Sequence, residues 1–356
     1  MIICRTPFRI SFLGGGTDYP AWYLKNGGSV LSTSINKYCY ITLRYLPPFF
    51  EHKIRLVYSK IELCQSFEEI KHPAVRETLR FLKFDRGIEI HHDGDLPARS
   101  GMGSSSSFTV GFLHSCYALQ GIMASKKQLA MESIHIEQNL MKETVGSQDQ
   151  VAAACGGLNH IIFKTNGDIE IRPLTLSTSR CEELNSHLML FYTGIMRTAS
   201  DVADSYVNNI ENKNKLLLKM QKMVDDGIDI LQGDGGIDRF GVLMNKAWMA
   251  KRGLSKLVTN SVVDELYRRA LDNGALGGKI TGAGGGGFLL LFVPPSHQSK
   301  VRRALNELLH VPFRFDYTGS QIIVYEPHLD ECTLAAEEDR NGRSICAFRE
   351  LDTLRN

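Results

Sequence analysis

Along the first hundred residues, apolar positions alternate with polar ones or gather in short β-branched and aromatic runs. "RISFLGG", "KYCYITLRYL", "HKIRLVYS" and "GIEIHHD" therefore read as strands, each bounded by Gly, Pro or Asp. The period then lengthens. "SFTVGFLHSCYALQG" has helical spacing, and "KKQLAMESIHIEQNLMKETVG" predicts a second amphipathic helix over 128–145, stopped by Gly146. "GGLNHIIFK" and "DIEIRPLTL" predict a hairpin about "TNGD", and "HLMLFYTG" a buried strand opening the second half. Helical segments follow at about 200–231, at 239–250 and through "SVVDELYRRALDNG". The unbroken apolar run "FLLLFV" predicts a strand, and "KVRRALNELL" and "SQIIVYEP" complete this half. Each half runs strands then helices, without regular βαβ alternation, so the expected class is α+β in two lobes. The cut falls near residue 185, in the polar "STSRCEELNS"; the charged stretch after 327 reads as an appended tail.

Composition narrows the options. With 356 residues, 43% of them hydrophobic, there is core material for two packed lobes. A net charge of +2 without long blocks of one sign gives no footprint for nucleic acid or for a basic membrane patch. Eight scattered cysteines without a CxxC pair read as reduced thiols in the cytoplasm, not as a disulfide framework or zinc site. The opening "MIICRTPFRISFLGGG" is interrupted by Arg5, Pro7 and Arg9, which fits neither a signal peptide nor a membrane span.

Three glycine-rich runs stand apart: 12–20, 100–107 and 281–288. The middle one, "SGMGSSSS", follows a strand and opens a helix. There it would offer unpaired N–H groups and the positive end of the helix dipole to an anion. Its hydroxyls add donors and can ligate a hard cation such as Mg²⁺. The chain nowhere contains GxxxxGK[ST], so this is not a Walker loop. Gly282 to Gly287 satisfies GxGxxG, but after a helix and before a strand, the reverse of the dinucleotide-binding context.

Two carboxylates draw notice. Glu137 falls within the apolar stripe of Ala130, Ile134 and Met141, where a carboxylate is costly unless paired or metal-bound; the bland reading is an edge position snorkelling to solvent. Asp149 lies among small uncharged residues in "VGSQDQVAAACGG". It suits a base in a tight pocket, and equally the N-cap of "QVAAAC".

With these pieces in place the sequence resembles the GHMP kinases, the family of galactokinase, homoserine kinase, mevalonate kinase and phosphomevalonate kinase. The family's motifs are matched in order by "RISFLGGGTDYP", by "PARSGMGSSSS", with Met102 where Leu is usual, and by "KITGAGGGGF". The resemblance covers about residues 1–327. It implies a ribosomal-protein-like ATP-binding lobe over 1–185, a ferredoxin-like lobe over 186–327, and a tail over 328–356. It also implies a kinase that needs ATP and Mg²⁺. Asp149 would be the base or orienting group for the acceptor hydroxyl, with Arg9 beside it. Pro97, Ser100, Gly101, Met102, Gly103, Ser104, Ser105 and Ser106 would hold ATP, and Glu137 and Ser105 the metal. Asp18, Gly15, Gly16 and Gly284 would face the acceptor.

Within the family, "PFRISFLGGGTDYP", "FYTGIMRTASDV" and "AWMAKRGLSKLV" resemble the branch that phosphorylates D-glycero-D-manno-heptose 7-phosphate at C1. Gly15 and Gly16 replace the Glu-His of galactokinase-like sequences, leaving a roomier pocket. If the acceptor carries a phosphate, Arg197 before a predicted helix is one grip for it, or else a surface partner of Asp201; Lys37 is a lesser candidate. The expected partners are a sugar phosphate and ATP, with a homodimer left open. The competing readings are another sugar (fucose, galactose or a heptose phosphorylated elsewhere) and a nucleotide-binding regulator without catalysis. The presence of both Asp149 and Glu137 disfavours the regulator.

Overall fold

A computed structural model describes residues 1–47, 50–196, 199–207 and 210–326. Its strands, in chain order, are β1 (Ile2–Leu13), β2 (Gly28–Tyr45), β3 (Ile54–Val57), β4 (Ile61–Cys64), β5 (Ile88–Gly94), β6 (Leu158–Phe163), β7 (Ile169–Pro173), β8 (Leu188–Tyr192), β9 (Gly277–Ile280), β10 (Phe288–Phe292), β11 (Leu309–His310), β12 (Phe315–Asp316) and β13 (Gln321–Tyr325).

The architecture is the two-lobed α+β fold. The first, nine-stranded sheet runs β13-β1-β2-β5-β3-β4, and the second runs β11-β8-β10-β9. β2 is long enough to serve three neighbours besides β1: Gly28–Thr33 pairs with β6, Ser34 and Ile35 with β12, and Cys39–Tyr45 with β5. β6 and β7 form the hairpin expected about "TNGD". β8 and β10 are apolar, and β8, β9 and β10 are buried nearly throughout, as a sheet covered on both faces requires.

The division of the chain near residue 185 needs one qualification. After the second sheet the chain crosses back, and β12 and β13 pair with β2 and β1 of the first. Burying the open edge of β1 accounts for the return. The helix Ser104–Leu119 packs on β1 and β2, as does Asn214–Gln232 from the second half, while Asp238–Arg252 packs on β9 and β1. β1 and the start of β2 thus lie between the halves.

One helix departs from its predicted span. The α-helical segment ends at His135, Ile136–Leu140 forms a wider π-turn, and the helix does not reach 145. Met141 N–H donates to the Ile136 carbonyl, five residues back, and Glu143 N–H donates to the Glu137 carbonyl. Such turns often mark functional sites, and this one contains Glu137. Among the described residues no helix is long and apolar enough to cross a membrane. Arg197 and the tail over 328–356 lie outside the described residues.

Candidate active site

The middle glycine run is held from both sides. Arg9, from the centre of β1, donates through Nη1 to the Gly101 carbonyl at 2.8 Å, and its backbone N–H donates to the Met102 carbonyl at 3.1 Å. From the other side comes the third glycine run. A Cβ on Gly101 would lie 2.5 Å from the Thr281 carbonyl oxygen, and one on Gly282 would lie 2.7 Å from the Gly101 Cα. Backbone meets backbone here, which only glycine permits. Ser100 is buried and its Oγ donates to the Pro97 carbonyl at 2.6 Å, while Pro97 itself is exposed.

Gly103, left-handed at φ +74°, then caps Ser104–Leu119. The first helical N–H with a partner in the turn is that of Ser107, on the Gly103 carbonyl at 2.8 Å. The N–H groups of Ser104 to Ser106 precede it at the helix start, where neither an acidic residue nor a side-chain cap competes. This is an anion cradle.

Beside Gly103 sits a bidentate ion pair. Arg9 Nε and Nη2 donate to Asp149 Oδ1 and Oδ2, each at 2.6 Å. The guanidinium side chain is 4% exposed and the carboxylate 23%, so the pair is open on the Asp149 side. Ser147, not Asp149, is the N-cap of Gln148–Cys155; Asp149 occupies the first turn, where the helix dipole favours a carboxylate. A Cβ on Gly103 would come 3.1 Å from Arg9 Cγ and 3.4 Å from Asp149 Oδ2, so the cradle and the ion pair are in direct contact.

The π-turn delivers Glu137 to the same helix start. Glu137 is fully buried, and its Oε2 accepts from Ser106 Oγ at 2.9 Å and from Gln150 Nε2, while Oε1 has no partner. Burial pushes its carboxyl up to about 7, against the pull of the neighbouring Thr109, Ser106 and Gln150 side chains. Ser105 is exposed, and it is Ser106 that faces Glu137. Helix phase explains it: Ser106 is one position, about a quarter turn, further around.

On the far side of Asp149 lies the first glycine run. Asp18 is buried; Oδ1 accepts the Gly16 N–H at 2.9 Å and Oδ2 accepts from Gln148 Nε2 at 2.8 Å. Burial pushes its carboxyl up, and the charge on Asp149 adds to the effect. Gly15 faces Ser11, Gln148 and Lys251. Gly284 faces the Val258 backbone instead, a Cβ there lying 2.5 Å from the Val258 carbonyl oxygen, so it shapes the third loop.

Two lysines complete the site, and the sequence reading named neither. Lys251 and Lys279 are 4% and 5% exposed. Lys251 Nζ donates to the Gly282 carbonyl, and Lys279 Nζ donates to the Ser11 carbonyl at 2.7 Å. Burial lowers Lys251 to about 8, with Arg9 acting in the same sense and Asp18 and Asp149 opposing it. Burial and the neighbouring Lys251 hold Lys279 well below the usual lysine range. The missed signal was periodic: Phe240, Met244, Ala247, Trp248 and Lys251 share one face of their helix.

The site thus puts an anion cradle, a buried acid beside a serine, and an Arg–Asp pair in one line. Family comparisons fit the same arrangement. The GHMP kinases N terminal domain matches residues 69–157, and the GHMP kinases C terminal domain matches 230–311. The chain belongs to the GHMP kinases. It is 29% identical over 318 residues to the D-glycero-alpha-D-manno-heptose 7-phosphate kinase of Campylobacter jejuni, covering 85% of this chain and 92% of that one. It is 26% identical to the L-fucokinase/L-fucose-1-P guanylyltransferase of Bacteroides fragilis, over 85% of this chain and only 36% of that protein. The crystal structure of a D-glycero-D-manno-heptose 1-phosphate kinase from Bacteroides thetaiotaomicron superposes with a TM-score of 0.75 at 22% identity, over 92% of this chain and all of that one. That likeness is one of fold. As a GHMP kinase related along most of its length to a heptose phosphate kinase, the chain is a sugar kinase.

Proposed function

We propose that this GHMP kinase transfers the γ-phosphoryl group of ATP, with Mg²⁺, to the C1 hydroxyl of D-glycero-D-manno-heptose 7-phosphate, a step toward nucleotide-activated heptose. The observation that carries the reading is the Arg9–Asp149 pair in contact with Gly103, because it sets an acceptor-orienting carboxylate at the mouth of a phosphate cradle. The residues fit the absent groups. The N–H groups of Ser104 to Ser106 would hold ATP phosphates, and the bare, buried Glu137 Oε1 beside Ser106 Oγ suits a hard cation. Magnesium, when bound, offsets negative charge on the phosphates.

The protein's own part is positioning. Each Asp149 oxygen receives one Arg9 N–H and keeps a lone pair for the acceptor hydroxyl. Asp149 accepts that hydrogen bond, aims the oxygen at the phosphoryl group, and receives the proton as the hydroxyl loses it. The Arg9 guanidinium fixes the carboxylate and presents positive charge where the transferring group passes. Loops from both halves meet around this point and limit the entry of water.

ADP release measured over a panel of D-glycero-D-manno-heptose 7-phosphate, L-fucose and D-galactose tests the reading, with phosphorus NMR locating the new phosphate. Turnover of the heptose phosphate with a phosphate on C1 is expected. Brisk turnover of a free sugar and none of the heptose phosphate would replace this acceptor with the second reading, a fucokinase-like activity, which the match to the Bacteroides fragilis enzyme supports.

A further inference from the structure

Several buried polar atoms converge on the space beside Gly15, and the protein does not use all of their hydrogen-bonding capacity. A Cβ built on Gly15 would lie 3.6 Å from Ser11 Oγ, 3.6 Å from Gln148 Nε2 and 3.8 Å from Lys251 Nζ. All three side chains belong to residues more than nine-tenths buried. Ser11 Oγ and Gln148 Oε1 have no hydrogen-bond partner. Lys251 has three N–H donors, one of which serves the Gly282 carbonyl. Protein interiors rarely leave such groups bare, so the cluster points to a ligand.

The chemistry of the cluster selects among ligands. The Asp18 carboxylate accepts only, so the Gln148 amide must turn Nε2 toward it and Oε1 away. The space therefore offers donors from Lys251 and a donor or acceptor from Ser11, while the Gln148 Nε2 beside it is taken by Asp18. Asp18 and Asp149 contribute negative charge close by. An anion would meet that charge, whereas a neutral pair of hydroxyls can accept from Lys251 and exchange a hydrogen bond with Ser11.

We propose that Ser11 and Lys251 read two adjacent hydroxyls of the acceptor sugar beside Gly15, with Gln148 forming the wall. Lys251 donates to one hydroxyl oxygen, and Ser11 Oγ exchanges a hydrogen bond with the other hydroxyl. This rests on the sugar-kinase reading and assigns its acceptor specificity to residues outside the three glycine motifs' Gly and Asp positions. The buried Lys279 supports the wall from behind by holding the β1 carbonyls of Ser11 and Phe12. Lys251 also links the wall to the phosphate side, since Gly282, which it grips, packs on Gly101.

The test uses the full-length chain and isothermal titration with the sugar of the above panel that the wild type turns over best, and separately with Mg·ADP. Gly15→Ala is the cleaner probe, because Gly15 has ordinary backbone geometry and a methyl group there makes only van der Waals contacts. Gly15→Ala and Lys251→Met are each expected to weaken sugar binding about 10- to 100-fold, the scale of a hydrogen bond to a charged group, with Mg·ADP binding unchanged. Wild-type sugar affinity should also fall as pH rises through about 8 and Lys251 loses its proton, among Asp18, Asp149, Arg9 and Lys279, and Lys251→Met should abolish that slope. Undiminished sugar binding by Gly15→Ala, or by a folded Lys251→Met, overturns the inference while leaving the kinase reading intact. If the wild type turns over no sugar of the panel, both fall together.

Discussion

The two sides of this site are built from different material. The phosphate side is main chain: amides at the start of Ser104–Leu119, with glycines packed backbone to backbone against the third loop. The acceptor side is charged side chains, with Asp18, Arg9, Lys251 and Lys279 buried and Asp149 partly exposed, brought from β1, its following loop, two helices and β9. Amides bind any phosphate chain alike. Buried charges are costly unless each meets its partner, so they discriminate. On the proposed function, the choice of acceptor would lie with the side chains, and the ability to hold a nucleotide with the backbone.

That contrast can be broken at points of decreasing weight. Asp149→Asn should lower turnover by ~10²-fold or more, the scale of positioned proton transfer, while nucleotide affinity measured by titration stays intact. A loss of nucleotide binding instead would show that Asp149 belongs to the phosphate side. Glu137→Gln should raise the Mg²⁺ concentration needed for half-maximal activity without moving the sugar KM. The Glu137 carboxyl titrates near 7 in the folded chain and near 4.5 when unfolded, so the fold holds the extra proton between those values. Metal-free stability should accordingly decline as pH rises from 4.5 toward 7, and metal binding should strengthen through about 7. Urea midpoints at both ends of that window, with a chelator, check it; an equal slope in Glu137→Gln would assign the titration elsewhere. At the bottom of the scale, Arg268→Ala removes exposed pairs with Glu265 and Asp272 and should leave the urea midpoint almost where it is, with both substrate affinities unaltered.

Local signals were legible and remote ones were not. Alternation marked the strands, and "TNGD" marked the β6–β7 hairpin. Glu137 stood out as a carboxylate on an apolar stripe, and it is buried. The same signal marked Lys251, but its partners Gly282 and Asp18 lie in distant segments, so its chemistry had no visible context. The π-turn escaped periodicity because its wider ring answers to Glu137 meeting Ser106, a tertiary demand. Ser105 was preferred to Ser106 because serine runs carry no phase; the cap at Gly103 sets which hydroxyl turns inward. The return of β12 and β13 was equally hidden, since pairing across most of the chain leaves no local trace.

That return has a bearing on biosynthesis. Cys4 on β1 and Ser320, just before β13, touch although they lie 316 positions apart in the chain. At ribosomal speeds of about 5–20 residues per second, the nascent amino-terminal sheet waits on the order of 15–60 s for its final strand. Throughout that interval β1 is a vacant template for any passing extended peptide, so assembly inside the cell is paced by translation of the last strand and invites chaperone protection until then.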